Sequence, residues 1–348
     1  MTTALGPIRI ARRYTWSAEW GGCHPADDAL GVDGFLTTQA RRLLALVGVE
    51  HSFDRGHQML RELCGWTVDA EVLRRTTHAE ARRAQAGRPE RPDAAAFRST
   101  PGEVEVLIDA GKVNTRAGWR DVKVGVFLKR QVGAPASPDE WASRGLPAPA
   151  ARTVVAGVEG VERFGPRLRA ESDRLGVTTH AGVTVLADGG EWIWHVASEH
   201  WPQAAGVLDV FHAVQAVGEA VKAIWGADEA GTADRIASGR TALVSGGKGG
   251  IERWIGEQFA GLPAGSDGEP LRGLSAYLAK HPTRLTYAER LAGGRSIGSG
   301  AVEGSIKQLV NLRMKRTGAR WRAEHVGPLV ELRALSLTTD WQSLWVAA

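Results

Sequence analysis

The clearest alternation of apolar and polar residues lies between residues 182 and 214. Val183 and Val185 fall on one face of a predicted strand, which ends at Asp188 before a pair of glycines. Apolar residues then recur at helical spacing until Pro202, which ends the helix because proline lacks a backbone N–H donor. A second short strand and a further helix complete the segment. The pattern therefore predicts alternating strands and helices.

Both predicted strands end at an aspartate. Asp188 follows the first strand, Asp209 follows the second, and His212 comes three residues later. Because open α/β sheets keep their chemistry at the carboxyl ends of their strands, these side chains are candidates for a functional site. Asp209 also has a structural interpretation, in which it fixes the tautomer of His212 and the local packing.

Strand-like alternation also precedes this segment. Residues 103–130 predict two strands around a hairpin, and Asp109 is predicted to end the first of them. Residues 151–160 predict a third strand, and residues 161–175 predict an amphipathic helix. The resulting order of three strands, helix, strand, helix and strand is that of a ribonuclease H-like mixed sheet, so we expect an α/β fold of this type. Residues 98–225 form the first part of this predicted sheet domain.

Residues 35–97 have the pattern of a helical domain that precedes the sheet. Ser52 is a predicted N-cap, Gly65 ends that helix, and a second helix carries Arg74 and Arg75. Two helices joined by a glycine-containing turn, the second of them basic, are the outline of a DNA-binding helix-turn-helix. The same residues also fit two packed helices with a solvated basic face.

Three other segments carry less pattern. Residues 1–34 predict strand and loop, and Cys23 with His24 lacks the second cysteine pair that a zinc knuckle would need, so the segment is a structural loop or a degenerate knuckle. Residues 87–97 predict a linker because proline and charge occur there without periodicity. Residues 226–295 are polar, glycine-rich and largely helical, which predicts a helical insertion into the sheet domain.

The last predicted unit, residues 296–348, begins with a helix that carries Glu303. Ser299 is its predicted N-cap, and Glu303 shares an apolar stripe with Ile306. A carboxylate on that face needs either a bound cation or a basic partner such as Lys307. The following residues are strongly basic around a tryptophan, which suits DNA phosphates and would also suit a solvated surface. The residues that we expect to contact DNA here are Lys307, Arg313, Lys315, Arg316 and Arg320.

Composition and charge narrow the class of protein. The 348 residues carry a formal net charge of only +4, so the net charge alone does not indicate a polyanionic partner. The two cysteines, Cys23 and Cys64, lie in different segments, which excludes a disulfide framework and favours a reducing, cytoplasmic setting. No apolar run reaches the length of a membrane span, so we expect no membrane among the partners.

Three stretches resemble the DDE transposases of the ISKra family of bacterial insertion sequences, whose catalytic core is related to that of Mutator-like transposases. The stretches are IDAGKVNTRAGWRDVKVGVF, ADGGEWIWHVASEHWPQAAGVLDVFHA and RSIGSGAVEGSIKQLVNLRMKRTGARW. The resemblance implies that Asp109, Asp188 and Glu303 are the catalytic, metal-binding acids. It also matches Asp209 and His212 to an Asp-x-x-His signature of the family.

The resemblance further implies two Mg²⁺ ions, for which Mn²⁺ can substitute, held by those acids. The implied partners are double-stranded DNA, as the terminal inverted repeats of an element and as target DNA, and further copies of the chain in a dimer or larger assembly near the nucleoid. One departure is that such proteins usually carry paired cysteines near the N-terminus, where only Cys23 is present. Two alternatives stay open: a retired transposase that only binds DNA, and a ribonuclease H-like nuclease acting on RNA or branched DNA.

Overall fold

The computed structural model describes residues 1–19, 21–227, 229–338 and 340–345. Over these residues the protein is a mixed α/β structure, as the sequence predicts, and a five-stranded sheet lies at its centre. Helices precede this sheet, connect its later strands, cover both of its faces and follow it.

The first 37 residues form short strands and one helical turn. The elements are β1 (Thr2–Thr3), β2 (Gly6–Pro7), β3 (Thr15–Ser17), β4 (Gly21–Cys23), α1 (Pro25–Ala29), β5 (Val32–Asp33) and β6 (Leu36–Thr37). Four of these strands pair in the order β2-β1-β6-β5, and β3 pairs with β4. Cys23 lies in the β3–β4 hairpin with its Sγ 3.3 Å from Thr15 Oγ1, so its nearest polar partner is a hydroxyl.

Four helices follow. They are α2 (Thr38–Glu50), α3 (Phe53–Cys64), α4 (Ala70–Ala86) and α5 (Asp93–Ser99). The predicted N-cap of α3 is confirmed, since Ser52 Oγ accepts a hydrogen bond from Arg55 N at 3.3 Å. The predicted end of α3 is also confirmed, because Gly65 adopts a φ of 65°, a left-handed conformation that favours glycine.

The central sheet has three antiparallel and two parallel members. Its strands are β7 (Glu103–Thr115), β8 (Gly118–Arg130), β9 (Ala151–Gly157), β10 (Val183–Ala187) and β11 (Ala205–Leu208). They lie in the order β11-β10-β7-β8-β9. β8 is antiparallel to β7 and β9, whereas β10 is parallel to β7 and β11. The predicted sequence of strands and connecting helices is therefore found in this region.

The central strands send alternate side chains into two cores. The helices that cover them are α6 (Val161–Arg174), α7 (Glu191–His200) and α8 (Val210–Trp225). Leu107 belongs to the core that α8 covers, whereas Val106 and Ile108 belong to the core that α6 and α7 cover. This period of two is what places successive side chains on opposite faces of a sheet.

The segment predicted as a helical insertion, residues 226–295, is largely helical. It consists of α9 (Thr232–Ala260), α10 (Glu269–Ala279) and α11 (Tyr287–Ala292). α9 is broken at Gly247, whose φ of 53° and close approach to Leu285 O exclude a side chain. The apolar residues of these helices, such as Leu243 and Leu271, join the same core as α8 and the sheet. The insertion is thus packed onto the sheet domain rather than separate from it.

The C-terminal unit packs back onto the rest of the chain. It contains α12 (Gly300–Ile306), a π-helical turn over Lys307–Asn311, α13 (Leu312–Met314), α14 (Ala323–Ser336) and α15 (Asp340–Ser343). α14 contacts β9, α4 and α2. Where the sequence predicts a basic tail after one helix, the structure has a buried helix that joins the sheet to the N-terminal helices.

The segment predicted as a linker, residues 87–97, is folded, so that prediction is wrong. It contains a 3₁₀ turn over Arg88–Glu90 and most of α5. Phe97 is 3% exposed and belongs to the core that α6 covers. Arg88 of this segment belongs to a buried ion-pair network, so the segment is not a solvated connection.

Buried charges hold the N-terminal helices to the sheet. Glu331 of α14 is 2% exposed and accepts hydrogen bonds from Ala156 N at 2.9 Å and from Arg167 Nη2 at 2.6 Å. Arg88 lies between Glu331 and Glu171, with nitrogen–oxygen distances of 3.2 and 3.0 Å. Such a network is stable only when every buried charge has its partner.

Replacing Glu331 by Ala is expected to lower the free energy of unfolding by about 3–5 kcal/mol, because Arg88 and Arg167 lose a buried partner. Urea denaturation measures the loss. The matched control is Glu324→Ala, at an exposed position of the same helix, which should change the stability by less than about 0.5 kcal/mol. Equal stabilities of the two variants would contradict this role of Glu331.

Candidate functional site

Asp109 and Asp188 lie at the same level on neighbouring parallel strands. Ile108 of β7 pairs with Ala187, the last residue of β10, so the next residue along each chain is an aspartate. Asp188 follows the end of its strand, as predicted. Asp109 does not end its strand, because β7 continues in a hairpin with β8 as far as Thr115. The predicted strand end at Asp109 is therefore wrong. What ends beside Asp109 is the parallel pairing of β7 with β10.

The carboxyl of Asp109 is half-buried, and its pKa is raised to about 6. Loss of solvent is the main cause, and the negative charges of Asp188 and Glu303 add to it. A hydrogen bond from Ala110 N at 2.6 Å and the charge of His212 act in the opposite direction. The other two predicted acids, Asp188 and Glu303, are therefore close enough to influence the ionisation of Asp109.

The loop after β10 orients Asp188. Gly190 N donates a hydrogen bond to its Oδ1 at 2.8 Å, and Trp194 Nε1 donates one to its backbone oxygen at 2.7 Å. Gly189 lies against Tyr277 of α10 so closely that a Cβ would overlap the ring. Burial and the charge of Asp188 raise the pKa of Tyr277 to about 12, so the phenol keeps its proton at neutral pH.

Asp209 is fully buried and accepts several hydrogen bonds. It caps α8 by accepting from His212 N at 2.9 Å, and His212 Nδ1 lies 3.1 Å from the same oxygen. Its other oxygen accepts from Ser299 Oγ at 2.8 Å and from Ser299 N. These bonds lower the pKa of Asp209 against the opposing effect of burial. Asp209 is thus an ionised anchor between α8 and the segment that leads into α12.

Ser299 is the N-cap residue of α12, as predicted, but its side chain does not cap the helix. The side chain makes no capping hydrogen bond to α12, because its hydroxyl donates to Asp209. The serine instead ties the start of α12 to α8 across 90 residues of sequence.

His212 carries the positive charge of the site. Its pKa is raised to about 9, first by the hydrogen bond with Asp209 and further by the charges of Asp209, Asp188 and Glu303, while burial acts in the opposite direction. The imidazole is therefore protonated at neutral pH. It offsets part of the negative charge that the acids bring together.

Glu303 reaches the site because α12 lies close against β7. A Cβ on Gly111 would stand 2.9 Å from Ile306 Cγ2, so a small residue at this point of the strand allows the close approach. Glu303 is half-buried, whereas Lys307 is exposed. The predicted alternative of a Glu303–Lys307 ion pair is not found among the described residues, and the positive charge that interacts with Glu303 is that of His212.

One group of side chains has the spacing of a single-ion site. Asp209, His212 and Glu303 each offer a ligand atom, and these atoms all lie within 4.8 Å of one another. Over the residues that the structure describes, the predicted set of Asp109, Asp188 and Glu303 does not meet that limit. The site can thus hold a metal ion. This group includes Asp209 and His212, to which the sequence analysis assigns a supporting role.

Sequence reasoning missed Tyr277, which lies in the helical insertion. The paired glycines after Asp188 indicate that something approaches the backbone closely, but nothing in the sequence identifies an aromatic ring 88 residues later as the neighbour. The insertion therefore contributes to the wall of the site.

Most of the predicted DNA-binding residues are accessible. Arg74 is held by its own helix, since it donates two hydrogen bonds to Glu71. The fully exposed members of the predicted set are Arg75, Lys307, Lys315, Arg316 and Arg320.

Arg313 is not part of this exposed surface, so the expectation that it lies there with the other basic residues is wrong. Its side chain is 2% exposed, and its Nε donates to Gly48 O at 2.9 Å. The guanidinium carbon lies 4.8 Å from the ring centroids of both Phe53 and Trp321. Stacking between two aromatic rings explains why this cation is buried.

The sequence matches no protein-family model, and no curated protein is significantly similar to it. None of the described helices combines the length and the apolar character needed to cross a membrane.

The proton on His212 predicts a dependence of stability on pH. Because its folded pKa of about 9 exceeds the ordinary value of 6.5, the proton stabilises the fold below pH 6.5, and this contribution is lost as the pH rises from 6.5 to about 9. The side chain is 39% exposed, so after discounting for solvent screening we expect about 1–2 kcal/mol. In metal-free buffer, the stability advantage of the wild type over His212→Gln should shrink by this amount across that range.

His195→Gln, at an exposed position on α7, is the matched control, and its stability difference from the wild type should stay constant over the same range. A constant difference for His212→Gln as well would show that the fold does not hold the His212 proton.

Asp209→Asn keeps the size of the side chain and removes its charge. The pKa of His212 should fall from about 9 towards 6.5, because Asp209 is the main cause of the raised value. An NMR titration of the histidine ring protons measures this change, with Asp234→Asn, exposed in the first turn of α9, as the control. An unchanged pKa of His212 would mean that Asp188 and Glu303, and not Asp209, hold the proton.

Proposed function

We propose that this protein is a Mg²⁺-dependent DDE transposase, which cleaves DNA at the ends of an insertion sequence and joins them to target DNA. The observation that carries the proposal is the placement of Asp109 and Asp188 at matched positions of adjacent parallel strands, with Glu303 delivered beside them by α12. Acids at the carboxyl ends of adjacent strands are a common arrangement for chemistry on α/β sheets.

The strand order supports a ribonuclease H-like core. Three strands joined as an antiparallel meander, β7, β8 and β9, are followed by β10 and β11, which add in parallel beside β7. The sequence predicts this succession of three strands, helix, strand, helix and strand for such a sheet.

The side chains fit divalent cations. Carboxylate oxygens are the ligands that Mg²⁺ and Mn²⁺ prefer. The pKa of Asp109 is raised mainly by burial and further by the negative charges of Asp188 and Glu303, which is consistent with three acids held near one another. Asp109, Asp188 and Glu303 would hold two ions.

Bound divalent ions would supply an activated water or 3′-hydroxyl and stabilise the leaving oxygen during phosphodiester cleavage and strand transfer. The chain itself orients the acids. Gly190 N fixes one oxygen of Asp188, and Asp209 fixes the entry of α12 and therefore the position of Glu303. The Nδ1 of His212 is engaged with Asp209, so its Nε2–H is the donor for an oxygen of the bound phosphate.

The exposed basic residues support DNA as the substrate. Arg75 lies on α4, which precedes the sheet in the sequence. The others lie on the segment from Lys307 to Arg320, which follows it. Cationic side chains of this kind bind phosphates without regard to sequence and give affinity for both element ends and target DNA. Because two DNA ends must be held together, we propose that a dimer or a larger assembly acts on DNA.

The test is cleavage of DNA that carries the ends of the element, with Asp109→Asn, Asp188→Asn and Glu303→Gln compared with the wild type. Each substitution should reduce cleavage by roughly 10³-fold or more while DNA binding in a gel-shift assay stays intact. Asp121→Asn, at an exposed position of β8, is the control and should retain activity.

Near-normal cleavage by any of the three variants would overturn the assignment. A wild type that binds DNA and never cleaves it would favour the retired transposase. Preferential cleavage of RNA or branched DNA in a competition assay would favour the nuclease.

A further inference from the structure

A second concave site lies away from the carboxylates. It is a cavity of about 780 Å³ between the first turns of α3 and α4, the β7–β8 turn at Arg116 and the loop that follows α13. Asp109, Asp188 and Glu303 do not line it. The cavity therefore joins the N-terminal helices, the sheet and the C-terminal unit at a place that the proposed chemistry does not use.

Positive charge dominates the lining of this cavity. Its two carboxylates are Asp54 and Glu71, and Glu71 is already paired with Arg74. The arginines that line it are Arg74, Arg116, Arg313, Arg316, Arg320 and Arg322. A concave surface with so many more cations than anions focuses a positive potential and favours an anionic ligand.

The floor of the cavity is a fixed guanidinium. Arg313 is 2% exposed and is held between Phe53 and Trp321, with its Nε bound to Gly48 O. Its Nη2 is buried and has no hydrogen-bond partner in the described part of the chain. A buried N–H donor without a partner is costly, so this atom is suited to a ligand oxygen.

The frame around Arg313 is fixed by backbone bonds. Trp321 N donates to Asn114 O at 3.0 Å, and Arg116 N donates to Trp321 O at 2.8 Å, so the C-terminal loop is attached to the β7–β8 hairpin. Trp321 Nε1 donates to Met314 O at 3.1 Å. The arginines on this frame are therefore held near one another without any ligand.

The exposed arginines of the cavity are free to bind. Over the described residues, the side chains of Arg116, Arg316, Arg320 and Arg322 form neither a hydrogen bond nor an ion pair. They differ in this from Arg74, whose guanidinium is engaged by Glu71. Four unpaired guanidinium groups around a fixed fifth can surround one multivalent anion.

The aromatic rings of the cavity favour a phosphate over a base. Phe53 and Trp321 already stack on Arg313 and lie edge to face with each other, 6.4 Å apart. His78 and His325 stack on one another at 4.0 Å. Because these faces are occupied, little ring surface is left for base stacking, while the guanidinium forks match phosphate oxygens in shape and charge.

We propose that this cavity binds a phosphate group of a DNA strand, with Arg313 at its floor and Arg116, Arg316, Arg320 and Arg322 around its rim. The proposal rests on the proposed function only in naming DNA as the source of the phosphate. A phosphate bound here touches the N-terminal helices and the C-terminal loop at once, so one strand contact holds both parts in a fixed relation to the sheet.

The test compares Arg116→Gln/Arg320→Gln with a matched control, Arg240→Gln/Arg253→Gln, which removes the same charge from exposed positions of α9. Both variants should keep the thermal midpoint of the wild type. Binding of a short fluorescein-labelled DNA duplex is followed by anisotropy in EDTA over a series of salt concentrations, so that no metal and no cleavage enters the result. Inorganic phosphate and a nucleoside monophosphate are added separately as competitors and as stabilisers of the thermal midpoint.

The cavity variant should bind the duplex about tenfold more weakly than the wild type, and its plot of log affinity against log salt should lose a slope of about two, one for each arginine. The control should change by less than about twofold, since its lost charges are screened over a Debye length. If duplex binding matches the control while stabilisation by free phosphate or mononucleotide is lost, the phosphate cavity stands and its source is a free ligand. Equal behaviour of the two variants in both measurements would overturn the proposal.

Discussion

The buried carboxylate of Asp209 is the constraint on which the site depends. It caps α8, holds the imidazole of His212 and binds the backbone and hydroxyl of Ser299, four residues before Glu303. A buried charge is tolerated only when its oxygens are satisfied, and here each oxygen accepts hydrogen bonds from a different element. The sheet alone could align the two aspartates, but the third acid comes from a helix 115 residues away from Asp188 in the sequence, and Asp209 fixes where that helix begins.

This arrangement brings together acidic side chains that repel one another electrostatically. The raised pKa of Asp109 shows that its ionisation is disfavoured by burial and by two neighbouring acids, whereas the raised pKa of His212 shows that a proton is retained beside them. A binding site for divalent cations has this character, because the charges that repel each other are the ligands that a cation would bring together. Asp209 and His212 therefore act together with the acids. The ligand atoms of Asp209, His212 and Glu303 lie within 4.8 Å of one another, so this pair lies close to the third acid.

The sequence predicted what depends on local pattern. The alternation of Val183 and Val185 located β10, and Ser52 and Gly65 located the ends of α3, since caps and strand faces are decided within a few residues. It could not predict contacts made across the chain. The burial of Arg313 is not visible in the local sequence, because its partners Phe53 and Gly48 lie more than 250 residues earlier. α14 was not predicted because Leu329 to Arg333 are all buried, including two charged residues, and a stretch buried on all sides shows no amphipathic period.

The central claim is that Asp109, Asp188 and Glu303 bind divalent ions at the edge of the sheet. Anomalous diffraction from a crystal soaked with Mn²⁺ tests it most directly, because the metal positions are observed without reference to activity. We expect Mn²⁺ to be coordinated by oxygens of Asp109 and Asp188, with Glu303 completing the site. Mn²⁺ bound by Asp209, His212 and Glu303 alone, with Asp109 and Asp188 left uncoordinated, would contradict it.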